Sequence, residues 1–143
     1  MKALESEDSL DAFLRGFVDG TLPKTDWTHQ AHLVMASCYL LNYPVEEATV
    51  RIREGIQRYN LATGGENTDM AGYHETLTIF WIRILLAALR EMDAAGSRIE
   101  KARAIAERFG NQRDLFRSYY SFDVVNSTDA RRRWVAPDAE NRR

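Results

Sequence analysis

The stretch GYHETLTIFWIRILLAALREM, residues 72–92, decides the fold class. Its apolar residues recur at helical spacing over a length no ordinary strand reaches. On a wheel of about 100° per residue, His74, Thr78, Trp81, Leu85, Ala88 and Met92 share one arc, while Arg83 and Arg90 lie on the far side. That pattern predicts an amphipathic helix from about Gly72 to Met92, with His74 aimed inward from its first turn and Glu75 on its flank.

The same spacing continues through the rest of the chain. Leu10, Phe13, Leu14 and Phe17 predict a helix over Ser9–Asp19, stopped by Gly20 and Pro23. Thr25 or Asp26 can cap a second helix running to about Tyr43, ahead of Pro44. Pro44 opens a third, with Glu46 and Glu47 at the positive end of its macrodipole. Ser97-Arg98-Ile99-Glu100 reads as a capping box for a helix ending at Phe109 before Gly110. No segment alternates as a half-buried strand would. The expectation is all-α: one helical bundle over residues 1–143, with about five main helices and a less regular C-terminal tail from about residue 111. The second and fourth helices should be adjacent and central, because only they are apolar around most of their circumference; on the second, Gln30, Ser37 and Asn42 look ready to meet water.

The net charge of −2 offers no general attraction to nucleic acid or to an anionic membrane, and neither is expected as a partner. Basic residues gather in the C-terminal third, most densely at Arg131, Arg132 and Arg133, which read as a solvated tail. Cys38 is alone, so no intramolecular disulfide is available. With no apolar N-terminal run and no uncharged stretch of roughly 18 residues, the expectation is a cytoplasmic protein; a homodimer stays open.

The three histidines fall in two clusters, Trp27-Thr28-His29-Gln30-Ala31-His32 and Tyr73-His74-Glu75-Thr76. Residues at i and i+3 share a helix face, so His29 and His32 can converge, and His74 from a facing helix completes a three-imidazole face. Such a face suits a divalent metal, with zinc, iron, nickel and copper all accepting these donors. Glu75 or Asp69 can add an oxygen ligand or orient a histidine, and Glu75 can also serve as general base. Trp27, Tyr39, Tyr59, Asn60, Tyr73, Thr78 and Trp81 are the candidate substrate-binding residues. Asn60 to Gly72 is long for a helix connection and carries Gly64-Gly65, a candidate hinge for a lid over the site. These glycines lack the spacing and basic residue of a phosphate loop, so no nucleotide cofactor is expected.

Trp27-Thr28-His29-Gln30-Ala31-His32-Leu33, Gly72-Tyr73-His74-Glu75-Thr76-Leu77-Thr78 and Ala130 to Asp138 together resemble a family of small bacterial helical proteins without an established activity, over roughly residues 10–138. The resemblance implies a bacterial source and attention to these histidines, and brings no catalytic assignment. By analogy alone, three histidines in a small bundle are similar to the metal site of the DinB-like hydrolases and transferases. Here, however, an early HxxH precedes a single later histidine, the reverse of that group's order.

Three functions are consistent with these residues. The first is a metal-dependent enzyme acting on a small organic substrate, with His29, His32 and His74 as ligands. The second is a metal-free histidine acid–base enzyme of isomerase, lyase or cyclase type in an apolar pocket. The third is a non-catalytic bundle that binds a small molecule or a partner.

Overall fold

The computed structural model describes residues 1–139; the last four residues of the basic tail, and of the single domain expected over 1–143, lie outside the described residues. Helices account for all its regular structure, with no strand among the described residues. In chain order they are α1 (Glu7–Asp19), α2 (His29–Asn42), α3 (Val45–Ala62), α4 (Glu75–Arg90), α5 (Arg98–Phe109) and the short α6 (Thr128–Arg132).

Capping sets the boundaries, and it moves three of them from their expected places. Ser6 caps α1, so the helix starts two residues before Ser9: its hydroxyl accepts the Ser9 N–H, which draws Glu7 and Asp8 into the first turn. Thr28 caps α2, because Lys24–Asp26 closes as a 3₁₀ turn and takes Thr25 and Asp26 out of contention. His74 caps α4, which therefore starts after the histidine instead of before it. The capping box of Ser97 and Glu100 opens α5 as expected.

α2 packs against α3, α4 and most extensively α5, so it forms the axis of the bundle with α4 beside it. Buried residues occupy nearly every position from Ala31 to Leu40. Ser37 belongs to that run and not to the surface; its hydroxyl is fully buried and has no partner among the described residues. α4 is sandwiched. Ile82, Leu85, Ala88 and Leu89 join the main core, whereas Phe80 belongs to a second cluster with Phe116, Tyr119, Tyr120, Val124 and Ala130. Each large apolar side chain so buried contributes roughly 1.5–3 kcal/mol.

The C-terminal segment is thus a layer over α4, while the side chains of Arg132 and Arg133 on its outside are exposed, as expected. Thr76, fully buried on α4, donates to Arg133 O (2.8 Å) and accepts from Val135 N (3.0 Å). Arg83 lies over the Trp134 ring, 4.6 Å from its centroid. Arg131 donates to Gly72 O (2.8 Å), Arg132 pairs with Asp69, and Arg133 pairs with Asp129 (2.8 Å). Among the described residues no helix is long and apolar enough to cross a membrane.

The two buried hydroxyls predict opposite responses. Thr76→Val keeps the shape but leaves Arg133 O and Val135 N unpaired, and should cost about 1–3 kcal/mol in chemical unfolding. Ser37→Ala removes an unpaired buried oxygen and should leave stability unchanged or raise it by up to about 1 kcal/mol. A Thr76→Val variant as stable as the parent would show that the C-terminal layer is not anchored there.

Candidate functional site

All three histidines stand at helix starts. The Thr28 hydroxyl accepts the Ala31 N–H (3.2 Å), which places His29 at the first position of α2 and His32 one turn further on. His74 is itself the cap of α4. The first turn of a helix carries the positive end of the macrodipole, so each imidazole sits where a proton is unwelcome.

Hydrogen bonds fix the tautomers, because a carbonyl can only accept. His29 Nε2 lies 3.1 Å from Phe109 O and must carry the proton, which leaves Nδ1 with a lone pair. His32 Nδ1 donates to Thr28 O at 2.8 Å and leaves Nε2 bare. His74 is different. Its Nε2 donates to Val124 O (2.9 Å) while Nδ1 accepts the Leu77 N–H (3.2 Å), so both ring nitrogens are engaged.

Burial is the main reason that all three pKa values are lowered. Protein crowds His32 closely enough to push its pKa down to about 4, against the opposing bond to Thr28. The ring also lies on Trp27, centroids 3.8 Å apart. For His29, the positive charge of Arg113 adds to burial, while the bond to Phe109 O and the charge of Asp114 oppose it. All three imidazoles are therefore neutral at physiological pH.

A cavity of about 510 Å³ brings the three histidines together. Of the residues expected to hold a substrate, Trp27, Asn60, Tyr73, Thr78 and Trp81 line it as well. The rest of the wall is mostly apolar, with Leu33, Met35, Ile52, Ile56, Leu77 and Leu85 among its members. Such a space, apolar with a few polar groups, is within the roughly 300–1,000 Å³ range of small-molecule pockets.

Three expected residues lie elsewhere. Both oxygens of Glu75 are held by Arg53 (2.9 and 2.8 Å), and Tyr73 donates to one of them, so this carboxylate links α3 to α4. It neither touches a histidine nor lines the cavity. Backbone carbonyls set the imidazole tautomers instead. Tyr59 stands behind Trp27, ring centroids 4.9 Å apart, and spends its hydroxyl on Leu22 O (2.6 Å). Tyr39 lines a separate hollow with Cys38, Tyr43 and Arg98, where burial pushes the Cys38 thiol up to about 11.

The expected metal ligands differ in how their ring nitrogens are engaged: His29 and His32 each keep one nitrogen without a partner among the described residues, while both nitrogens of His74 are taken. Ligation by His74 would break either its cap on Leu77 or its bond to Val124 O, and Glu75 and Asp69 are both committed to arginines. Among the described residues, no group of three or more His, Cys, Asp or Glu side chains stands close enough to hold an ion.

The loop into His74 is tethered. Asn67 accepts from Asn60 Nδ2 (2.9 Å) and Tyr73 N (3.1 Å) and donates to Gln57 O (2.9 Å). Gly72, at φ 87°, lets the chain pass so close to Glu66 that a Cβ would fall 1.8 Å from its carbonyl oxygen. A hinge at Gly64-Gly65 would have to break these ties. Asn67 thus acts as the loop-capping residue its position suggests, whereas Arg113, in a segment without strong periodicity, is the residue that sequence reasoning missed.

Comparison with family models, with curated proteins and with solved structures returns no match. The likeness to small bacterial proteins therefore lends no residue roles, and the site speaks through its geometry alone.

Because His32 is held neutral in the fold, with a pKa near 4 against 6.5 in the unfolded chain, the unfolded chain binds more protons between these values. The stability is complete above about pH 6.5 and is lost as pH falls toward about 4, by at most about 3 kcal/mol from His32. Urea unfolding at about pH 7 and about pH 4.5 should show this loss shrinking in His32→Gln; equal losses in both proteins would contradict a neutral His32. Gly72→Ala should cost at least about 2 kcal/mol, while Gly64→Ala, at the same φ but in open space, should cost about 1 kcal/mol.

Proposed function

We propose that the cavity binds a small, largely apolar organic molecule and moves a proton on it without a metal. One observation carries this reading: His29 and His32 each give their N–H to a backbone carbonyl, leaving two neutral imidazoles with bare nitrogens in an apolar cavity. A fixed tautomer is what a histidine base needs, and fixing it by a carbonyl costs no charge.

The two rings differ in what they can do. With a pKa near 4, His32 is a weak base, and its Nε2 serves best as acceptor for an O–H or N–H of the ligand. Proton transfer then falls to His29. Its Nδ1 takes a proton from the ligand, Nε2–H stays on Phe109 O throughout, and the proton returns to another atom of the same molecule. That sequence is an isomerisation; if a leaving group departs instead, it is an elimination. Trp27, Trp81, Leu77 and Leu85 offer the apolar wall against which the body of the ligand packs.

A bundle that holds its ligand without turning it over is the second reading, favoured by the low basicity of His32. Phenylacetone separates the two, as an apolar ketone with acidic C–H bonds. In deuterated water, the protein should speed exchange of those hydrogens as followed by NMR. The rate should be unchanged by EDTA and reduced by about a hundredfold in His29→Gln. Exchange abolished by EDTA would restore a metal, and tryptophan quenching without exchange would favour the binding bundle.

A further inference from the structure

Among the residues that line the histidine cavity, Arg113 alone carries a formal charge. It lies on the connection between α5 and the 3₁₀ turn at Leu115–Ser118, exposed at the cavity wall. Its situation is unlike that of most arginines here. Arg51, Arg53, Arg98, Arg108, Arg117, Arg132 and Arg133 each pair with a carboxylate, Arg58, Arg103 and Arg131 donate to backbone carbonyls, and Arg83 lies over the Trp134 ring. Among the described residues, no hydrogen bond or ion pair engages Arg113. Asp114 next to it is drawn to Arg117 at 3.3 Å.

We propose that Arg113 receives the anionic group, a carboxylate, of the molecule whose apolar body fills this cavity. The inference rests on the small-molecule reading above and narrows its substrate class to apolar organic acids. A guanidinium presents a planar fork of donors that matches a carboxylate with two parallel bonds. No acidic side chain lines the cavity to compete for it or to repel the ligand. The neighbouring polar groups agree in sign. His29, His32 and His74 are neutral, and the starts of α2 and α4 turn the positive ends of their dipoles toward the same space. A cationic ligand would meet an unpaired arginine and two positive helix ends, while Asp114, whose charge reaches His29, is turned to Arg117. For a wholly neutral ligand the guanidinium would have no use.

The position also gives a direction to the bound molecule. With its carboxylate on the exposed Arg113 and its hydrocarbon among Trp81, Leu77 and Leu85, the ligand spans the region of His29 and His32, both of which feel the charge of Arg113. The reacting carbon would lie between the anionic end and the apolar end.

The test compares 3-phenylpropionate with 3-phenylpropanamide, which share a skeleton and differ in charge. Two of the three tryptophans, Trp27 and Trp81, line the cavity, so fluorescence titration reports binding. The full-length protein should bind the carboxylate about tenfold more tightly than the amide at low salt, and the gap should narrow as salt is raised. Arg113→Gln should bring the carboxylate to the level of the amide and leave the amide unchanged. Arg113 is exposed and unpaired, so this variant keeps the fold, which unchanged circular dichroism and melting temperature check. Equal affinities in the parent, or a gap that survives Arg113→Gln, overturns the role of Arg113 while leaving the cavity reading intact. Failure of both probes to bind removes the cavity reading and this inference with it.

Discussion

The first turn of an α-helix leaves backbone N–H groups without partners, and here two such turns open onto one cavity. Their satisfaction organises everything around them. Thr28 supplies an oxygen to α2, and His74 supplies a ring nitrogen to α4. An imidazole used as a cap must be neutral and must carry its proton on the other nitrogen, so the cap on Leu77 dictates the bond to Val124 O. A structural requirement of the backbone thereby fixes the protonation state of a side chain in the site.

That constraint extends to the character of the cavity. Imidazoles at helix starts, sheltered among aromatic and aliphatic side chains, stay uncharged. Glu75, next to His74 in the chain, is held by Arg53 and Tyr73, and Asp114 is drawn to Arg117. What faces the ligand space is a set of neutral acceptors with one cation, Arg113. It is this lining, electrostatically unfavourable to protonation of its own histidines, on which the proposal of an organic acid rests.

The helical class was legible from the 72–92 stretch because its apolar period repeats over many turns, and the capping box at Ser97 was legible because its chemistry is local. The association of the histidines with Trp27, Asn60, Tyr73, Thr78 and Trp81 was legible from helix faces. Helix starts were less so: serine, threonine and aspartate compete as caps, and the winner at Thr28 depends on a 3₁₀ turn that has no period. No pattern marked His74 as a cap. Nor could local sequence reveal that Val124, fifty positions away along the chain, would take its proton. The partner of a carbonyl bond leaves no trace in side-chain identity, since any residue can provide a carbonyl.

The C-terminal layer shows how far this dependence reaches. Val124 O orients His74, Arg131 holds Gly72 O at the entry to α4, and Arg132 holds Asp69 in the same loop. Thr76 then binds that layer to α4 through Arg133 O and Val135 N. Phe116 reaches the cavity wall, and Arg113 lies just before it. The segment after α5 therefore contributes the tautomer of one histidine, the tether of the loop and the only charge of the cavity. A helical bundle ending at Phe109 would retain the His29–His32 pair but lose both the carbonyl that holds His74 and the arginine at the cavity wall.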